Sequence, residues 1–152
     1  GVPWDVTPGV PAYAAAAALI GRELTVPLLA QSVVLTRTRA RSTAMPESES
    51  LAAFAATRAT LVLHLAIRRT RELMADLVTD YGPECPVVVV YRASQPGQRI
   101  LHGTVATIAD AVEAAGLRQA AVILVGWALE PRGGGESYLY DPARDRAVER
   151  SS

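Results

Sequence analysis

The side chains of this chain that could do chemistry are few: two histidines, one cysteine and a set of fifteen cations that are all arginine. His64 stands near the end of the apolar run TLVLHLA. An imidazole there titrates near neutral pH and could accept a proton or hydrogen-bond a carboxylate, although a strand histidine with a satisfied core role is the plain alternative. His102 falls in an alternating stretch and is expected to be exposed and without a role. Arg37, Arg39 and Arg41 recur at every second residue, with Thr36 and Thr38 between them. An extended backbone would put their guanidinium groups on one side, where each presents a rigid fork suited to carboxylates; a solvated arginine loop is the competing reading. Arg68, Arg69 and Arg71 open an expected helix, the wrong end for positive charge, which points to an anion or an acidic neighbour; a tolerated surface cluster is the favoured alternative. Arg92 is a weaker candidate of the same kind. Cys85 cannot form an internal disulfide and reads as a small buried residue entering a strand. No Ser/His/Asp order, no His/Cys spacing for a metal and no phosphate loop is found, so no metal is expected.

The elements that must position these groups begin at WDVTPGVPAYAAAAALIG, residues 4–21. A strand-like lead-in from Trp4 to Thr7 stops at Pro8-Gly9. Pro11 then suits the first turn of a helix, whose amides lack internal partners, and Gly21 suits its left-handed cap. The alanines from Ala12 to Ala18 give high helicity with little side-chain volume, so a backbone or a flat ligand can approach closely. Further strands are expected at 31–38, 60–66, 86–91, 98–103 and 120–128, with helices at 51–57 (capped by Ser50), 68–80 and 104–115 (capped by Thr104). The runs TLVLHLA, PVVVVY and AAVILVGWA are continuous and apolar, as in strands buried on both faces. The pattern is a layered α/β domain with a mixed sheet of about five strands flanked by about four helices.

Composition sets the outer bounds. A chain of 152 residues, half of them hydrophobic, is expected to form one domain. Formal net charge is zero, which gives no reason to expect nucleic acid or a membrane surface as partner. No apolar run reaches bilayer length, and the lone cysteine fits a reducing compartment, so a cytoplasmic location is expected. The segment after Asp141 is polar and charged and is expected to be partly disordered.

Taken together, VTPGVPAYAAAAALIGRELTVPLLAQSVVLTRT, ATLVLHLA, CPVVVVYRAS and AAVILVGWAL resemble the C-terminal half of the tetrapyrrole (precorrin) methylase family, over about residues 4–140. The resemblance implies C-methylation of a tetrapyrrole by S-adenosyl-L-methionine, nearest to the methylation of precorrin-4 at carbon 11 in cobalamin biosynthesis. A sibling methylase of the corrin or sirohaem route and a non-catalytic α/β binding or dimerisation module are the alternatives. It also implies donor contacts at Pro11 and Ala12, at Leu65 and at Ala93. Leu65 stands where many relatives have methionine, and Pro11 lacks the amide hydrogen some relatives carry there. The acceptor is expected on Arg37, Thr38, Arg39 and Arg41, with His64 as the one candidate proton acceptor. Methyl transfer from a sulfonium asks mainly for alignment, which can supply about 7–11 kcal/mol of barrier reduction, so the absence of a nucleophile or metal motif is no obstacle. The glycine-rich donor loop of the family's N-terminal half is not found. Residues 1–10 are therefore expected to end that half, residues 11–140 to form the C-terminal domain and residues 141–152 to be a tail. The missing N-terminal domain and a second copy of the chain are the expected partners.

Overall fold

A computed structural model of the chain describes residues 2–38 and 45–130. Helix α1 (Ala12–Ile20) starts after Pro11 and ends at Gly21, whose φ of 61° is cheap only for glycine. There the amides of Gly21 and Arg22 close the helix on the carbonyls of Ala18 and Ala17. Then follow β1 (Val33–Arg37), α2 (Leu51–Ala55), β2 (Thr60–His64), α3 (Thr70–Tyr81), β3 (Pro86–Tyr91), β4 (Arg99–Thr104), α4 (Ile108–Ala114) and β5 (Ala121–Val125).

The strands lie in the order β1-β2-β5-β3-β4. Only β1 and β2 run parallel; β5 is antiparallel to both β2 and β3, and β4 is antiparallel to β3. The expected mixed five-stranded α/β sheet is thus present, with the last strand at its centre. Its period of two divides the apolar residues cleanly. Leu61, Leu63, Val87, Val89, Ile123 and Val125 face Leu73, Leu77, Ile108 and Val112 of α3 and α4. Val62, Val88, Val90, Val122 and Leu124 face Ala16 of α1 on the other side. Burying each such side chain contributes about 1.5–3 kcal/mol, which is why the three inner strands read as unbroken apolar runs. Ala16 is fully buried, so the small side chains of α1 do let the helix settle directly on the sheet.

Local differences from the expectation have identifiable causes. Trp4 to Thr7 is not a strand: no strand among the described residues lies beside it to complete a ladder, and Trp4 and Val6 are exposed. The helix expected from Arg68 begins two residues later, after a 3-10 turn at Ile67–Arg69. Thr104 does not cap α4. It ends β4 opposite Pro86, and its amide donates to the Thr107 hydroxyl at 2.9 Å, so the helix waits until Ile108. Ser50 does cap α2, accepting from the Ala53 amide at 3.2 Å. Cys85 is fully buried and His102 exposed, as expected, and Trp127 packs against the core. Arg39, Arg41 and the tail lie outside the described residues.

Candidate functional site

Because β5 is antiparallel to its neighbours, the carboxyl ends of β2 and β3 and the start of β5 share one edge of the sheet. A cleft of ≈ 1000 Å³ opens at this edge. One wall is α1, through Ala12, Ala15, Ala18 and Leu19; the floor includes His64, Leu65, Ala93 and Val122. Arg68, Arg92 and Arg118 also line it, together with Ser94, Gln95 and Gln119, and among the described residues no aspartate or glutamate does. The start of α1 opens on the same space. Pro11 has no amide hydrogen, no side chain caps the helix, and the first internal bonds run from Ala14 and Ala15 to the Pro11 carbonyl. The amides of Ala12 and Tyr13 are therefore left without intrahelical partners.

The cleft is also where the backbone is most constrained. Six non-glycine residues among those described have positive φ, and four of them line this cleft: Leu65 at 56°, Arg92 at 50°, Ser94 at 60° and Ala120 at 53°. Each costs about 1–2 kcal/mol, so the surroundings must hold them. The Arg92 amide donates to the Ala120 carbonyl at 2.8 Å, which locks two of these residues to each other. The Gln98 side-chain oxygen accepts from the Ser94 amide at 2.9 Å. Arg68 Nε donates to the Arg118 carbonyl at 3.0 Å. The consequence at Leu65 is direct: the chain turns out of β2 and leaves that side chain 79% exposed in the cleft.

The sequence-derived candidates therefore separate into two sets. Ala12, His64, Leu65 and Ala93 come together, with Pro11 immediately before Ala12. Half-buried His64 pairs in register with Arg37 on β1, and in this parallel pair the two side chains share a face. Arg37 and Thr38, however, line a different depression, shared with Glu47, Glu49 and Asp76. The arginines that open α3 have found acidic neighbours: Arg69 pairs with Glu72, and Arg71 bridges to Asp110 and Glu113 on α4. Arg118, Gln119 and Ala120 escaped sequence reasoning. Arg118 and Gln119 read as a connector and Ala120 as the first residue of a strand, and only the antiparallel placement of β5 brings them to the ligand edge. Ser94 and Gln95 read as an ordinary turn. Among the described residues no group of three His, Cys, Asp or Glu side chains could hold a metal ion.

Residues 1–109 match the family described as Tetrapyrrole (Corrin/Porphyrin) Methylases. The chain belongs to this family. It is 51% identical, over 97% of its length, to the precorrin-4 C(11)-methyltransferase of Rhodococcus erythropolis, of which it covers 59%. Its fold matches the crystal structure of a cobalt precorrin-4 methyltransferase of cobalamin biosynthesis with a TM-score of 0.79 at 40% identity, over 84% of this chain and 53% of that one. A uroporphyrin-III C-methyltransferase from Thermus thermophilus, solved with bound S-adenosylhomocysteine, matches with a TM-score of 0.65 at 26% identity, over 84% of this chain and 54% of that one. The chain thus spans between a half and three fifths of the length of these methylases. Among the described residues no helix is long and apolar enough to cross a membrane.

Proposed function

We propose that this chain forms the C-terminal wall of an S-adenosylmethionine-dependent C-methyltransferase acting on precorrin-4 at carbon 11 in cobalamin biosynthesis. One observation carries the reading: Ala12, Leu65 and Ala93, far apart in sequence, converge on one cleft at the ligand edge of the sheet, where the backbone strain is concentrated. The cleft suits the donor. Its alanine wall offers a flat apolar surface to an adenine ring, and the unpartnered amides at the start of α1 offer donors to polar groups. When bound, S-adenosylmethionine supplies an electrophilic methyl group on a sulfonium.

The chain's own residues have the following roles in this reading. The backbone at Ala12 contacts the donor, while Pro11 contributes shape but no hydrogen. The left-handed turn at Leu65 presents its backbone groups to the adenine. Ala93 leaves room for the donor to lie against the end of β3. His64, at the cleft floor, hydrogen-bonds an acceptor carboxylate or takes the proton released from the methylated carbon. Residues 11–140 act as the C-terminal domain. Residues 1–10 lead from an N-terminal domain that completes the cleft, and residues 141–152 are a tail. The working enzyme is a cytoplasmic homodimer. Identity is higher to the precorrin-4 enzyme than to the cobalt precorrin-4 enzyme, which favours a metal-free acceptor.

Calorimetric titration with S-adenosylhomocysteine tests this, first on the chain alone and then with the N-terminal portion of a family member added. Binding that appears or tightens in the pair, and methyl transfer to precorrin-4 by the pair, are the expected results. A well-folded pair that releases no heat with the donor product would remove the assignment.

A further inference from the structure

We infer that Arg68, Arg92 and Arg118 form a carboxylate-binding rim that holds the acidic side chains of the acceptor macrocycle beside the donor. This rests on the methyltransferase reading above. Three arginines from three separate segments meet at a cleft that no aspartate or glutamate among the described residues lines. Their neighbours Arg69 and Arg71 are engaged by Glu72, Asp110 and Glu113, whereas Arg68, Arg92 and Arg118 form no ion pair among the described residues. The side chains of Arg68 and Arg92 are nonetheless held by other contacts. Arg68 spends Nε on the Arg118 carbonyl, which leaves its terminal nitrogens for a ligand. Arg92 lies over the Tyr91 ring, 5.7 Å from its centre. A fork-shaped cationic rim at the donor cleft fits a macrocycle with carboxylates at its edge. The depression beside Arg37 and Thr38 does not fit as well, since Glu47, Glu49 and Asp76 line it.

A carboxylate could also come from the amino-acid end of the donor, and the test separates the two sources. Uroporphyrin III serves as a stable polycarboxylate macrocycle, its methyl ester as the same ring without charge, and S-adenosylhomocysteine as the donor probe. Binding of each to the full chain is followed by fluorescence or calorimetry, for the wild type, R92Q, R118Q, the R68Q/R92Q/R118Q triple variant and R37Q. The expected result is a loss of about 3–10-fold in uroporphyrin affinity for each single change at the rim and about 30-fold or more for the triple variant. R37Q and the affinity for S-adenosylhomocysteine stay within about twofold, and the ester binds weakly to every variant. Circular dichroism and the melting midpoint establish that the variants fold; if the triple variant does not, the two single variants decide. The rim is overturned if the wild type fails to bind uroporphyrin, if the variants bind it unchanged, if the ester binds as well, or if only S-adenosylhomocysteine is lost. Rim-dependent uroporphyrin binding without any donor binding, even beside an N-terminal domain, would support the rim and remove the donor-site reading.

Discussion

Ala120 holds φ at 53° on the exposed connector before β5, and its carbonyl receives the Arg92 amide. A left-handed alanine costs about 1–2 kcal/mol, while glycine there gives back part of the gain through its greater freedom when unfolded. Ala120→Gly is therefore expected to stabilise the chain by about 0.5–1 kcal/mol in urea denaturation and to loosen the cleft edge. A loss of stability would mean that the connector is not strained. Cys85 belongs to the same scale. Burial pushes its thiol up to about 12 from the ordinary value, and burial raises the Tyr81 hydroxyl as well. Below pH 9 the thiol is protonated in both folded and unfolded chains; above it only the unfolded chain ionises. Stability contributed by the neutral thiol is thus lost as pH rises from about 9 to 12, with a limiting slope of about 1.4 kcal/mol per pH unit for one group. Denaturation of Cys85→Ala between about pH 8.5 and 9.5, where the Tyr81 hydroxyl of the unfolded chain is still mostly protonated, should show most of the slope gone. An unchanged slope would assign it elsewhere.

At the scale of elements, the inner strands were the most legible part of the fold. TLVLHLA, PVVVVY and AAVILVGWA announce burial on both faces because each carries apolar residues at odd and even positions, and each contains a core strand, although the first and last run past its end. Their order was not legible. Nothing local in Ala121–Val125 says that the last strand inserts between β2 and β3, since that is decided by which edges remain to be filled. Gly126 makes the insertion possible. A Cβ there would lie 3.2 Å from the Thr60 backbone, and its φ of 152° disfavours any other residue. Gly126→Ala should cost about 2–4 kcal/mol by forcing β5 off β2, and chemical denaturation would measure it. A near-neutral effect would mean the two strand ends can part without penalty. The helix starts were less legible than the helix ends for a related reason. Thr104 has the side chain of a cap, but the ladder to Pro86 claims its backbone first.

For the whole molecule, the candidate donor contacts were legible only through the family resemblance, because as local sequence they are ordinary turn and core positions. The resemblance points to Ala12, Leu65 and Ala93, which share the cleft, whereas Arg118 and Gln119 join them only through topology. The apolar surface around that edge bears on the proposal that an N-terminal domain closes the cleft. Trp4 is 84% exposed, Val10 78% and Leu65 79%, and Val10 and Leu65 line the cleft itself. Exposed apolar groups within the cleft, with the lead-in that carries Trp4 running up to Val10 in sequence, mark a contact surface rather than scattered exposure. If an N-terminal domain packs there, adding it to the chain should shift Trp4 emission to shorter wavelength. Trp127 is already packed against the core, so the change should vanish in Trp4→Phe and persist in Trp127→Phe. The chain alone should bind a hydrophobic dye that the pair releases. Emission that stays unshifted in a pair shown by ultracentrifugation to associate would put the domain on another face, and the donor site would then have to be complete within this chain.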